Sequence, residues 1–208
     1  TNQRRIEQLV KSYLQSLDNL EGFWPCEPDG GIGVMTKYGV INSGITRYAL
    51  VLSDLVGTGI LDRRTPASIL EIGGGYGGLA LMCRQFNPNS AYVVCDLEES
   101  LFYQGVFLNM HLGEDYVHPI RGHRNEFESM QEGHVYLLPQ RHAESLSDAN
   151  FDLVINQQSM QEMTREQVSR YSDIISLCAE KFYSCNMDSH GKGIVSSKGT
   201  ISSLHEFL

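Results

Sequence analysis

The 208-residue sequence is most informative first in what it lacks. Five cysteines (Cys26, Cys83, Cys95, Cys178 and Cys185) form no Cys-x-x-Cys pair. An odd, unpatterned set rules out a disulfide-stapled scaffold and fits thiols kept reduced in the cytoplasm. Three of them lie inside apolar runs, which predicts buried, inert sulfurs. No stretch of 18 apolar residues occurs, so no membrane span is expected, and no signal-peptide pattern opens the chain. Basic charge is scarce as well. Sixteen Lys and Arg stand against 25 Asp and Glu, for a net charge of −9. A nucleic-acid-binding surface would show a basic patch, and none is present. The single tryptophan, Trp24, falls in a Gly- and Pro-rich stretch.

What remains is an ordinary globular composition, 41% hydrophobic and 20% charged, sufficient for one domain-sized core. Ile6, Leu9, Val10, Tyr13, Leu14 and Leu17 recur at helical spacing and predict an amphipathic first helix. Residues 21–44 carry Phe23, Trp24, Pro25, Pro28 and several glycines, and read as an ordered loop or lid. Ile45, Tyr48, Ala49, Leu52, Leu55 and Val56 predict a second helix, capped by Asn42 or Ser43 and ended by Gly57-Thr58-Gly59. Residues 1–67 are therefore assigned to N-terminal helices and a lid, and residues 68–208 to a core. Because the chain begins at Thr1 and stops at Leu208 without an evident closing element, it reads as a fragment or as C-terminally incomplete.

The core opens with Ser68-Ile-Leu-Glu-Ile-Gly-Gly-Gly-Tyr-Gly-Gly78, a short apolar run that turns through glycines into a helical pattern. A second apolar run, Ala91-Tyr-Val-Val-Cys-Asp96, ends in a carboxylate. Strand, glycine turn, helix, strand and acid make up the front half of a nucleotide-type βαβ unit. Further strands are expected at Val135–Leu138, Phe151–Ile155 and Lys181–Cys185. Thr164-Arg-Glu-Gln167 is a capping box opening a helix between the last two. Strands alternating with helices predict an α/β fold, a doubly wound and mostly parallel sheet with helices on both faces. Residues 111–134 are polar, rich in histidine and weakly periodic, and read as an insertion or irregular connection. Residues 189–203, rich in Gly and Ser, are left unplaced.

Ligands of such sheets lie beyond the carboxyl ends of the strands. The polar candidates fall there: Glu71 and the glycines, Asp96, His142–Glu144, Asn156, and Asn186 with Asp188. Gly73, Gly75 and Gly78 also satisfy Gly-x-Gly-x-x-Gly, so a dinucleotide oxidoreductase using NAD is an alternative. Glu71 weighs against it, as a carboxylate at the mouth of the turn would repel a pyrophosphate and favour a cationic ligand. Asp96 is placed to accept hydrogen bonds from a ribose diol.

Glu71-Ile-Gly73-Gly-Gly75-Tyr-Gly77 resembles motif I of the class I S-adenosylmethionine-dependent methyltransferases, and Asp96 matches their ribose-binding acid. Together with Asn156-x-x-Ser159-x-x-Glu162-Met163-Thr164, the pattern is similar to that of a family of sugar O-methyltransferases. The resemblance implies a Rossmann-like fold and S-adenosylmethionine as cofactor, with S-adenosylhomocysteine as product. It also implies a small-molecule acceptor, a sugar or glycosylated compound. Gly73, Gly75 and Gly77 would hold the methionine part, with Glu71 ordering the turn. Asp96 would take the ribose, Leu97 would pack on the adenine, and His142 and Ala143 would meet the adenine edge. Arg47 would pair with the methionine carboxylate. Two C-terminal strands usual in this fold are not visible in the sequence.

At the acceptor, Glu162 is the expected general base, with Asn156 and Ser159 orienting the hydroxyl. Five of the seven histidines lie between His111 and His142, but at no metal-ligand spacing, so no metal site is assigned. Asp188 and His190 offer an alternative base or a divalent-metal pair. Another metabolite acceptor, or a cofactor-binding protein without catalysis, are the remaining alternatives.

Overall fold

The computed structural model describes residues 2–186 and, as backbone, 200–202. The chain divides into two compact units, Thr1–Arg63 and Arg64–Leu208.

The first unit contains helix α1 (Asn2–Gln15), an antiparallel hairpin of β1 (Val34–Thr36) and β2 (Gly39–Ile41), and helix α2 (Ser43–Gly57). The expected lid segment thus contains a small sheet. Tyr13 of α1 is fully buried and donates its hydroxyl to the carbonyl of Pro25 at 2.6 Å. Burial raises that phenol to about 12. Tyr38 stacks on Trp24 at 4.5 Å between centroids, which explains how a Gly- and Pro-rich stretch stays ordered. Asn42 is the N-cap of α2: its Oδ1 accepts from Ile45 N at 2.9 Å while its Nδ2 donates to Glu27 Oε1 at 2.7 Å.

The second unit is a seven-stranded sheet, ordered β5-β6-β4-β3-β7-β8-β9. Its strands are β3 (Ser68–Ile72), β4 (Ala91–Asp96), β5 (Val117–Pro119), β6 (Val135–Pro139), β7 (Leu153–Gln157), β8 (Phe182–Cys185) and β9 (Thr200–Ser202). The first six are parallel and β9 pairs antiparallel with β8. Helices α3 (Gly78–Phe86), α4 (Glu98–Leu112), α5 (Arg124–Glu128) and α6 (Arg165–Cys178) connect them. This is the expected doubly wound α/β architecture. The strands are buried almost end to end, as a sheet covered on both faces requires. On one face Leu70, Ile72, Val93, Cys95, Leu138 and Val154 pack with Tyr171, Ile174 and Ile175 of α6. The alternate residues face the other way, where an added Cβ on Gly74 would meet Val94 of β4 and one on Gly105 of α4 would meet Leu137 of β6.

Two expectations are corrected. Residues 111–134 are no irregular insertion. α4 runs on to Leu112, and β5 then adds a parallel edge strand beside β6. Three residues ending in a proline carry too little periodicity to be read as a strand, and an edge strand tolerates that proline. The 189–203 stretch contributes β9 at 200–202, one of the strands not seen in the sequence; its remaining residues lie outside the described ones. Cys83, Cys95 and Cys178 are buried free thiols, and burial pushes Cys95 and Cys178 up to about 12. Among the described residues no helix is long and apolar enough to cross a membrane.

Candidate functional site

Strand order reverses around β3, whose neighbours are β4 and β7, so the crevice beyond their carboxyl ends is the place for a ligand. Residues 73–77 form the floor. Gly73, Gly75 and Gly77 all take left-handed φ values, +79°, +58° and +94°, which any side chain would strain. Space is short as well. A Cβ on Gly73 would lie 2.4 Å from Ser159, and one on Gly74 would lie 2.5 Å from Val94. The turn delivers the chain into α3 through Gly77, and no side chain caps that helix. Its first-turn amides are thus offered to a ligand, with the positive end of the helix dipole behind them.

Asp96 ends β4 and is half-buried. Its Oδ2 accepts from Gly74 N at 2.9 Å and from Gln104 Nε2 at 2.7 Å, and its Oδ1 accepts from Leu97 N at 2.7 Å. Three of about four acceptor positions on the carboxylate are therefore filled. The remaining acceptor position lies on Oδ1. Gln104 also donates to the carbonyl of Gly75 at 2.9 Å. Gln104 was missed in the sequence, although a lone amide on the helical face of Leu101 and Leu108 is the signal that would have found it. Leu97, 55% exposed beside Asp96, presents an apolar surface of the kind an adenine ring stacks on.

Glu71 does not stand at the mouth of the turn. It lies in the sheet, 2% exposed, and accepts a hydrogen bond from the Tyr92 hydroxyl at 3.0 Å. Loss of water raises its carboxyl to about 8, the Tyr92 bond opposes that rise, and the charge of Asp96 adds to it. The group is thus mostly neutral at pH 7. Glu71 shares a sheet face with Tyr92 and Asp96 but lies two register positions deeper than Asp96, so the expectation that its charge repels a pyrophosphate is corrected. Tyr92, two register positions away on β4, and Cys83 of α3 complete this buried cluster, and both groups are pushed upward by burial.

On the other side of the crevice, Asn156 at the end of β7 is fully buried and its amide is fully engaged. Nδ2 donates to the carbonyl of Ile72 at 2.8 Å and to Ser159 Oγ, and Oδ1 accepts from Asn186 Nδ2 at 2.8 Å and from Met160 N. Ser159 donates to the same Ile72 carbonyl at 2.8 Å. The expected hydroxyl-orienting role of this pair is corrected: both side chains brace the last carbonyl of β3 against the loop after β7. Gln158 in that loop holds a left-handed φ of +58°, the one non-glycine residue to do so among the described residues.

Glu162 is exposed, in the single turn Met160–Glu162 just before the Thr164-capped α6. After β6, a 3-10 segment at Gln140–Asp148 carries the half-buried His142 and Ala143. Ala143 as a whole residue is in the core at 1% exposure, which leaves His142 as the more accessible of the two. Arg141 pairs with Glu98 at the start of α4, and Arg170 with Glu144. Of the acidic side chains after the strands, Glu98 and Glu144 are taken up by these two arginines, and Glu99 shares the first turn of α4 with Glu98. Arg47 is an exposed residue of α2 in the first unit. Two of the five clustered histidines meet: His118 Nε2 and His134 Nδ1 are 2.8 Å apart with stacked rings, but at the amino end of β6, away from the crevice. Among the described residues no three His, Cys, Asp or Glu side chains form a metal-holding group. Asp188 and His190 lie outside the described residues.

No family model and no curated protein matches the chain. Solved structures do. Magnesium protoporphyrin IX methyltransferase from Synechocystis PCC 6803, with bound SAH, is similar over 90% of this chain and 74% of that one, at 13% identity and a TM-score of 0.48. Coclaurine N-methyltransferase, bound to N-methylheliamine and SAH, matches over 88% of this chain and 49% of its own, at 14% identity and a TM-score of 0.48. The cyclopropane synthase MmaA2 from Mycobacterium tuberculosis matches over 86% and 54%, at 11% identity and a TM-score of 0.44. The chain spans about half the length of the latter two. At such values reaction and substrate have to be argued from the site itself.

Proposed function

We propose that the protein is an S-adenosylmethionine-dependent O-methyltransferase acting on a hydroxyl of a sugar or glycosylated small molecule. One observation carries the cofactor assignment: an uncapped helix N-terminus behind a three-glycine left-handed turn, tied through Gly74 N to the carboxylate that ends the next strand. The cradle fits a ligand with an anionic end for the α3 amides and a ribose hydroxyl for Asp96 Oδ1. The Asp96 carboxylate, with Glu99 in the first turn of α4, favours a cationic donor over a pyrophosphate. The Glu71-Ile-Gly-x-Gly-x-Gly resemblance supports the same choice.

Bound S-adenosylmethionine would supply a methyl group on a positively charged sulfur. The protein's part is placement, worth up to about 7–11 kcal/mol when two reactants are well aligned. The α3 amides and Gly73–Gly77 hold the amino-acid end, Asp96 and Leu97 the adenosine, and His142 the base edge. Glu162, exposed in the turn before α6, accepts the proton of the attacking hydroxyl, which contributes about 10²–10⁴-fold. Asn156 and Ser159 keep the two loops in register instead of touching the acceptor.

Incubation with S-adenosylmethionine and a panel of free sugars, nucleotide sugars and glycosides, read by mass spectrometry, tests the reading. The expected result is an acceptor heavier by one methylene group, with S-adenosylhomocysteine formed in equal amount. NADH binding at micromolar level, with no response to S-adenosylhomocysteine, would replace it with the oxidoreductase reading.

A further inference from the structure

Helix α4 buries Leu101, Gln104 and Leu108 along one face. Two are hydrocarbon, as a buried stripe demands, and the third is an amide with no exposed surface at all. Both N–H groups of Gln104 are spent on the crevice, one on the carbonyl of Gly75 at 2.9 Å and one on Asp96 Oδ2 at 2.7 Å. Its Oε1 is buried without a partner among the described residues. An unpaired buried acceptor is a cost that leucine at this position would remove. The two donors of Gln104, by contrast, are both satisfied, and by crevice groups alone. What they serve is visible at Asp96. Gln104 Nε2 and Gly74 N together turn Oδ2 inward, leaving Oδ1 facing out beside the exposed Leu97. The same donor group fixes Gly75, the second left-handed glycine of the turn.

We propose that Gln104 is the positioning residue of the cofactor site: it locks the glycine turn and Asp96 into one unit, so that a single carboxylate oxygen is preset for the ribose. This rests on the adenosyl reading above. Gln104 touches neither the ribose nor the reacting atoms and acts only through Asp96 and Gly75. Because the lock is an uncharged amide, replacing it with an acid should introduce a titrating contact.

The test is S-adenosylhomocysteine binding by calorimetry for wild type, Gln104→Glu and Gln104→Met, at about pH 6 and about pH 8.5. The near-isosteric Met variant lacks both donors and should bind about tenfold to a hundredfold more weakly at both pH values, two charge-assisted or neutral bonds being lost. In the Glu variant, two carboxyls within hydrogen-bond distance share one proton. Binding should stay near wild type at the lower pH, where the shared proton restores the bond to Asp96 Oδ2, and fall at least tenfold at the higher pH. Groups coupled to Asp96 from the surrounding elements are Glu71 on β3, Cys95 on β4 and Tyr171 on α6, with Arg170 beside the latter two. Glu71, at about 8, titrates in this window, so the wild-type profile is subtracted. Both variants are first checked for a wild-type far-ultraviolet dichroism spectrum. Wild type that fails to bind S-adenosylhomocysteine refutes the adenosyl reading itself. Wild type that binds, with variants matching it at both pH values, or with a Glu variant weakened equally at both, refutes the role of Gln104.

Discussion

Burial of Glu71 makes the folded protein less stable as pH rises, and the Glu71→Gln variant should abolish that loss. The carboxyl has an ordinary value of 4.5 and is raised to about 8 by desolvation, the Tyr92 bond opposing and Asp96 adding to the rise. Below pH 4.5 both folded and unfolded chains carry the proton and nothing is lost. Between 4.5 and about 8 the unfolded chain releases it while the folded chain holds it, so stability declines through that window and levels off above it. At about 1.36 kcal/mol per pH unit, the gap amounts to about 5 kcal/mol, a large share of the 5–15 kcal/mol that roughly holds a domain together. For a chain of this size that corresponds to roughly 10–20 °C in melting temperature. His134 works in the opposite direction. Its pKa is lowered chiefly by desolvation, then by His118 and Arg84, so its effect is a gain as pH rises towards 6.5. Glutamine at 71 keeps an acceptor for Tyr92 and has no charge to bury, while His134 is unchanged, so the difference between the two proteins isolates residue 71. Urea or thermal melts from about pH 5 to about pH 9 should show the two curves meeting at the acid end and diverging upward for Glu71→Gln. Curves that stay parallel across the range would refute the argument.

Four further outcomes are expected. Gly73→Ala combines a +79° φ with a collision at Ser159, and should lower stability by about 2–4 kcal/mol and eliminate S-adenosylhomocysteine binding, as measured by melting and calorimetry. Asn156→Ala strips partners from the Ile72 carbonyl and from Asn186, and should cost about 2–3 kcal/mol in urea unfolding. Asp96→Asn should weaken S-adenosylhomocysteine at least tenfold, since a neutral amide cannot accept from Gly74 N, Gln104 and ribose together. Glu162→Gln should lower turnover by about 10²–10⁴-fold with cofactor affinity unchanged, and an unaltered rate would remove Glu162 as base.

Much of the α/β fold was legible because its signals are local. The glycine run could only turn, the apolar runs were of strand length, and Asn42 and Thr164 announced helix starts that the structure has at those residues. What escaped was set by distant partners. β5 exists because β6 offers it an edge, and β9 because β8 does, neither pairing being written in three residues of sequence. Glu71 and Asp96 both follow apolar residues and share one face of the sheet, and only the register of β3 on β4 decides that Asp96, two positions further along, reaches the crevice while Glu71 stays buried. Asn156 and Ser159 looked like chemistry because polar residues at a strand end often are. Their shared hold on the Ile72 carbonyl shows them as structure. Gln104 was overlooked for the converse reason, a functional amide on a face that periodicity assigns to the core.

The central claim is that the glycine turn and Asp96 hold an adenosyl cofactor, and the most direct measurement is a calorimetric titration of the wild-type chain with S-adenosylhomocysteine, with NADH titrated in parallel. One-to-one micromolar binding of S-adenosylhomocysteine is expected, lost in Gly73→Ala, with no heat from NADH. Saturable binding of NADH with a flat S-adenosylhomocysteine trace would contradict it.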